Sequence, residues 1–514
     1  MASGFACTRA ASPSRPRVRS GLLGALLVTA LALIVRFSTL TLQSLWLDEA
    51  YTDHLVHLGF GAMLSAIPKS ESTPPLYYVV TWGWTHLFGF SELALRSVSA
   101  LAGAATVAVA YALAGRLAGA RAGLIAGILL ALSPLMVRYS QETRAYALAT
   151  LLATGTILCL IRYLDTLAGC WLAGWAATAA LGLCTHYFVA FVVGPELAWL
   201  LWHAGLKGDS AGGPGRSSRR QVQAAVALVA LIALALVPLA LAQRGTGHAD
   251  YIAQGSLATR AIQVPKQFLV GYASPGQGIT APLATLILLA GALWPLARHR
   301  ARIDRATLIP LGVGLSCVLV PLALAIAGID FLDTRNLLPA LPALIVVAAV
   351  GLAVPETWPR GGVLAGWLAA LLATVVLLVD SNVQYQRADW RGASRALGAA
   401  ARARAIVVAP GSGLLALQAY EHGLRPLAGS AAVGEIDVVA LPAQTTGSGM
   451  GAAPRSRSRL PVPAQFHLVA ASYARAYTVL RFRASAPVTV TPAQLIPSHL
   501  GSGSLGVYVQ VPER

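Results

Sequence analysis

The chain has 514 residues, of which 56% are hydrophobic and only 11% charged. A mean hydropathy of +0.66 over that length excludes a soluble globular protein and calls for several membrane-spanning helices. The formal net charge of +18 does not imply nucleic acid. The basic residues gather in short loops between apolar runs, as the positive-inside rule requires.

Residues 1–20 form a basic N-terminus, with Arg15, Arg17 and Arg19 ahead of an apolar run at 21–42. That run is longer than a signal-peptide core and no small-residue cleavage site separates it from Asp48, so it reads as a retained first span. Further spans are predicted at 94–114, 122–137, 145–164, 171–186, 187–204, 223–242, 281–297, 307–328, 337–354 and 362–380, about eleven in all. Residues 76–90 are also apolar. A crossing there would turn Arg298, Arg300, Arg302 and Arg305 to the outer side, so this stretch is expected as a juxtamembrane or re-entrant helix. It would lie in a first outer loop at 43–93, preceded by an amphipathic helix near 53–66. Arg116 and Arg121, then Lys207, Arg216, Arg219 and Arg220, mark the same side as the Arg298 cluster. The opposite loops carry mixed charge. An odd number of spans then places the N-terminus inside and the C-terminal region outside.

From 381 onward the texture changes. Strands are predicted near 405–409, 436–441, 465–470, 477–483 and 505–511, with a short helix at 414–422. The chain thus divides into a basic N-terminus (1–20), a transmembrane unit (21–380) and a small extracytoplasmic α/β domain (381–514). Gly411-Ser412-Gly413 follows the first strand, but the full Gly-rich dinucleotide fingerprint is absent, and a plain strand-to-helix turn is the better reading. Residues 443–459 read as a loop. The Arg455–Arg459 run suits either an anionic partner or a solvated surface. Cys7, Cys159, Cys170, Cys184 and Cys317 give neither a disulfide framework nor zinc-site spacing.

Three segments carry chemistry. The first span ends in Ser44-Leu45-Trp46-Leu47-Asp48-Glu49-Ala50-Tyr51, two adjacent carboxylates behind an interfacial Trp. Thr73-Pro74-Pro75-Leu76-Tyr77-Tyr78 follows, and then Arg138-Tyr139-Ser140-Gln141-Glu142-Thr143-Arg144-Ala145-Tyr146. Together they resemble glycosyltransferase family 39, polyprenyl-phosphate-sugar-dependent membrane enzymes of the GT-C superfamily that include the protein O-mannosyltransferases. The resemblance is good from about Arg36 to Tyr187, looser to Pro342 and weak beyond. It implies a polytopic α-helical GT-C fold and an inverting glycosyl transfer. The sugar would pass from a polyprenyl monophosphate to an acceptor hydroxyl on the outer face of the cytoplasmic membrane. It implies no metal and no cofactor. The partners expected are the lipid-linked donor, membrane lipid, and a glycan, lipid or protein acceptor.

The same resemblance makes Asp48 the catalytic base, with Glu49 beside it positioning the acceptor or coupling to Asp48. Arg36, Arg96, Arg138, Arg144 and Arg335 fall near outer span ends, where a guanidinium fork suits phosphate oxygens. For Arg36 and Arg96 a headgroup anchor is an equal reading. Arg335 lies in Asp333-Thr334-Arg335-Asn336-Leu337-Leu338-Pro339, where family members usually carry Tyr in place of Asn336. Many relatives also carry His or Lys at Thr73, and Lys69 is the expected substitute. Glu142, Tyr139 and Tyr77 are candidate substrate contacts. His186 either binds sugar or phosphate or is a polar turn. Glu196, an acid in mid-span, is expected as a buried protonated group bonded to a neighbouring helix. The competing reading is a secondary transporter or lipid flippase, whose polar groups would cluster near the midplane rather than at one face.

Overall fold

A computed structural model of the chain describes residues 15–206, 216–272, 274–300, 304–442, 444–445, 449–450, 462–495 and 505–512. Side chains at 15–20, 203–206, 216–218, 444–445 and 449–450 fall outside the description, as do Cys7, Lys207, Arg302 and the Arg455–Arg459 run.

Each predicted span coincides with helix. The first is α1 (Arg15–Phe37). The segment after it holds α2 (Leu47–Val56), α3 (Phe60–Ser70) and α4 (Leu76–Phe88). Then come α5 (Glu92–Leu132), α6 (Pro134–Ser140), α7 (Tyr146–Thr166), α8 (Gly169–Leu183), α9 (Ala190–Leu206) and α10 (Arg216–Arg244). Short α11 (Tyr251–Gln254) leads to α12 (Leu257–Val270). α13 (Gln277–Leu288) continues through a π-turn at Leu289–Leu293 into α14 (Trp294–Arg298). α15 (Leu308–Ile326), α16 (Ala340–Leu352) and α17 (Arg360–Ser381) complete the bundle.

Among the described residues, six helical stretches are long and apolar enough to cross a membrane, and four shorter ones are apolar. The longest stretch, α5, is two helices. Ala118 and Gly119 leave helical geometry, with Gly119 at φ +83°, a region favourable to glycine. The chain folds back there, because a Cβ on Gly123 would lie 2.9 Å from the Tyr111 carbonyl. α4 has 13 residues and buries Tyr77, Tyr78, Thr81 and Thr85.

The two ends of the bundle differ. At one end Arg116 ties Asp165 (2.5 Å) to Asp304 (2.9 Å), and Arg121 lies over the Trp358 ring, so these loops share a face. At the other end α2, α3 and α4 pack over the bundle. Gln243 at the end of α10 donates to the carbonyl of Thr73 (3.0 Å) and accepts from the Tyr187 hydroxyl (2.7 Å). Glu196 is buried between helices and bonds Thr156 Oγ1 and Trp175 Nε1, each at 2.9 Å. The acid in mid-span thus joins α7, α8 and α9.

After α17, α18 (Trp390–Leu397) leads into a mixed sheet. Its strands are β1 (Arg404–Ala409), β2 (Arg425–Pro426), β3 (Ala431–Ala440), β6 (His467–Tyr473), β7 (Thr478–Val490) and β8 (Gly506–Gln510). A separate two-stranded ladder joins β4 (Gln444–Thr445) and β5 (Gly449–Met450). The main sheet runs β2-β8-β1-β3-β7-β6, with β1 and β3 parallel and the other pairs antiparallel. Gly411–Gly413 forms a turn before α19 (Leu414–Gln418).

This α/β unit is docked on the α2 end of the bundle. Ala50 of α2 belongs to the unit's own apolar core, with Trp390, Leu417, Val439 and Tyr508. The Leu45 amide donates to the Tyr420 hydroxyl (2.7 Å), and that hydroxyl donates to Glu92 (2.5 Å). The Trp390 amide donates to Ser44 Oγ (3.0 Å). Helix α2 is therefore held between the bundle and the sheet domain.

Candidate active site

The start of α2 is fixed by Glu49, which is wholly buried. Its carboxylate takes two hydrogen bonds from Arg96 (2.7 and 2.6 Å), one from the Thr143 amide (3.0 Å) and one from the Trp46 amide (3.3 Å). Arg96 spends its remaining donors on the carbonyls of Leu40, Gln43 and Ser44. Burial works against ionisation of Glu49, but the guanidiniums of Arg96 and Arg387 outweigh it and hold the carboxyl below its ordinary range. Neighbouring helical side chains point about 100° apart, so with Glu49 turned inward Asp48 emerges on a different face.

Asp48 borders a cavity of about 640 Å³. Its side chain is 30% exposed, against 0–2% for Glu49, Glu71 and Glu142. Arg335 Nη1 reaches Asp48 Oδ2 at 2.9 Å, and its Nε lies 3.5 Å from Asp333. Arg144 also lines the cavity. It is braced by Glu71 (2.9 Å), Thr52 Oγ1 (3.2 Å) and the Asp48 carbonyl (3.3 Å). Glu71 takes a further hydrogen bond from the Tyr78 hydroxyl (2.6 Å), which is 2.9 Å from Thr73 Oγ1. Burial raises the Glu71 carboxyl, with Arg144 and Tyr78 opposing.

The same cavity is also lined by apolar side chains, among them Phe188, Phe191, Leu241, Pro321, Leu324 and Phe331. Arg244, exposed at the end of α10, and Ser412 of the sheet domain complete the rim.

His186 lines the same cavity. Its Nδ1 accepts from the Phe188 amide (3.2 Å), which leaves the ring proton on Nε2. Burial, with Arg144 and Arg335 nearby, pushes the imidazole down to about 3. His186 is therefore a neutral donor, and the positive charge at the site comes from arginine.

The sequence-based candidates divide. Asp48, Arg144, Arg335 and His186 share the cavity. Glu49 and Arg96 do not: they are consumed by each other and by backbone, which leaves them no free group for acceptor or phosphate. Arg138 borders a different, small cavity of about 40 Å³ with Asp380 and lies over the Tyr272 ring. Arg36 donates to the carbonyls of Ala32, Ala131 and Leu130 inside the bundle. Glu142 is buried against Arg387 (2.7 Å) and does not pair with Arg144. Tyr77 is buried on Ser99 (2.9 Å), and Tyr139 packs edge-on against Tyr146. Lys69 is exposed and does not border the cavity, whereas Arg244 does. Glu71, Arg244 and Arg387 escaped the sequence reading. Arg244 carried one faint signal, a lone cation at the C-terminal end of a long apolar helix.

Residues 72–210 match the model of the dolichyl-phosphate-mannose-protein mannosyltransferase family, a stretch that contains the Thr73–Tyr78 and Arg138–Tyr146 motifs. No curated protein matches the chain. Among solved structures, ArnT from Cupriavidus metallidurans bound to undecaprenyl phosphate is 18% identical, covering 72% of this chain and 67% of its own, with a TM-score of 0.47. Arabinofuranosyltransferase AftD from Mycobacteria is 16% identical over 98% of this chain and 40% of its own, TM-score 0.48. The S. cerevisiae Pmt1–Pmt2 complex bound to the sugar donor is 17% identical over 45% and 34%, TM-score 0.34.

The His186 environment generates a stability test. The folded protein keeps the imidazole neutral down to about 3, while an ordinary imidazole takes its proton near 6.5. The unfolded chain thus binds the extra proton, and stability falls as pH drops from 6.5 toward about 3. His186→Gln should show a shallower loss of thermal midpoint across that window than wild type. Equal slopes would mean that His186 is freely protonated in the folded protein.

Proposed function

We propose that the protein is an inverting glycosyltransferase that moves a sugar from a polyprenyl monophosphate to an acceptor hydroxyl at the outer membrane face. One observation carries this reading: a single cavity is lined both by a solvent-accessible carboxylate, Asp48, with Arg144, Arg335 and Arg244, and by apolar side chains that include Phe188, Phe191, Leu241 and Leu324. A lipid-linked sugar phosphate carries the matching pair of chemistries, an anionic head and an apolar tail. The family match over residues 72–210 supports the same class of donor. Glu196, the acid that suited a transporter, is taken up by Thr156 and Trp175.

In this reading Asp48 removes the acceptor hydroxyl proton. The hydroxyl oxygen attacks the anomeric carbon as its bond to the phosphate oxygen breaks, and the configuration inverts in that single displacement. The polyprenyl phosphate leaves with its charge met by the arginine forks. Arg335 has a second task. It holds Asp48 at 2.9 Å, and a donor phosphate competes for that guanidinium, so donor binding frees the base. His186 Nε2–H is placed to donate to a sugar or phosphate oxygen.

Asp48→Asn should insert and fold normally but lose transfer by at least about 10²-fold, the scale of a positioned general base. The assay is the envelope glycan profile of cells carrying wild type or the variant as the sole copy. An unchanged profile would remove Asp48 from the reaction.

We place the Asp48 end and the sheet domain outside the cytoplasmic membrane and the N-terminus inside. The arginines of the opposite loops and the Arg116–Asp165–Asp304 junction support this orientation. A Ser412→Cys variant, in a background whose native cysteines are replaced, should react with an impermeant maleimide in intact cells. Labelling only after lysis would reverse the topology.

A further inference from the structure

Arg387 belongs to no sequence motif and does not border the Asp48 cavity. It sits six residues past the end of α17, in the strap that leads to the sheet domain. Its side chain nevertheless runs inward and is 4% exposed. Nη2 meets Glu142 Oε2 at 2.7 Å, Nη1 meets Glu49 Oε2 at 3.3 Å, and the guanidinium lies 5.3 Å from the Trp46 ring centroid. Its backbone amide donates to Gln43 Oε1 (3.0 Å). Glu49 has Arg96 as a second cation. Glu142, among the described residues, has only Arg387 within ion-pair distance, with Arg138 acting on it from farther away, and its other carboxylate oxygen has no hydrogen-bond partner.

The turn that carries Glu142 also serves the cavity. The Thr143 amide donates to Glu49 (3.0 Å), the Arg144 amide donates to the Glu142 carbonyl (2.8 Å), and the Arg144 side chain braces the Asp48 carbonyl (3.3 Å). A displacement of Glu142 is therefore passed on through two hydrogen bonds to the base and to a phosphate-facing cation.

We propose that Arg387 is a positioning residue. By clamping Glu142 and Glu49 from the domain strap, it fixes the 142–144 turn and hence the placement of Arg144 and Asp48. The sheet domain is then part of the catalytic unit rather than a detachable acceptor module. This inference rests on the proposed function, because it needs Arg144 to face a lipid phosphate.

Undecaprenyl phosphate binding by the full chain in nanodiscs tests it. Arg387→Met leaves Glu142 buried and unpaired, so a loss of stability alone would not discriminate. The informative variant is Arg387→Met combined with Glu142→Gln, which removes both charges and should recover most of the wild-type thermal midpoint. If Arg387 positions the turn, this double variant still binds the lipid phosphate at least about tenfold more weakly than wild type. Misplacement by an ångström is costly at such sites. Methylguanidinium should restore part of the affinity to Arg387→Ala, entering through the small cavity that Arg387 borders.

A double variant that recovers both stability and wild-type affinity would overturn the inference and leave Arg387 as a structural ion pair. Wild-type protein that fails to bind undecaprenyl phosphate, or Arg144→Ala that binds as well as wild type, would instead remove the proposed function, and this inference with it.

Discussion

Everything at the candidate site depends on one buried ion pair, Glu49 with Arg96. Both side chains are at most 1% exposed, and the pair is bidentate, with further hydrogen bonds from Thr143 and Trp46 to the carboxylate. Two charges are removed from water here at considerable cost, and the cost is met only because nearly every donor and acceptor is engaged. What the arrangement secures is direction. With Glu49 pinned inward, α2 has one rotational setting, and Asp48 faces the cavity. The same pair ties the segment between α1 and α2, through the carbonyls of Leu40, Gln43 and Ser44, to the start of α5. The Asp-Glu dipeptide is thus one buried and one cavity-facing carboxylate.

The cavity lining mixes charged and apolar side chains. Asp48 of α2, Glu71, Arg144, Arg335 and Arg244 at the end of α10 contribute the charges, and Phe191, Leu241, Pro321 and Leu324 contribute apolar surface from the helices α9, α10 and α15. Asp48, Arg144 and Arg335 are cross-braced by hydrogen bonds and ion pairs to one another and to Glu71 and Asp333. The sheet domain contributes too: Ala50 sits in its core and Ser412 lines the cavity, so the domain both supports α2 and borders the cavity.

Much of this was legible in the chain. Apolar runs marked the helices of the bundle, and the apolar stretch at 76–90 forms the 13-residue helix α4. The alternating strands of the last domain were found, although β3 and β7 run longer than their apolar cores suggested. Asp48, Arg144 and Arg335 were legible because they stand in motifs. Which arginines face the cavity was not. Arg96, Arg138, Arg144 and Arg335 look alike as cations at outer span ends, and what separates them is a partner far away in sequence: Glu49 for Arg96, Tyr272 for Arg138, Glu71 for Arg144. Glu71 and Arg387 carried no local signal at all, since a long-range ion pair leaves no periodicity.

The central claim is that the Asp48 cavity holds a lipid phosphate. A structure determined with undecaprenyl phosphate tests it most directly. The account predicts phosphate oxygens within hydrogen-bond distance of Arg144 and Arg335, Asp48 released from Arg335, and the prenyl chain running past Phe191 and Leu241. A lipid phosphate bound instead at Arg138 and Tyr272, with the Asp48–Arg335 pair intact, would contradict it.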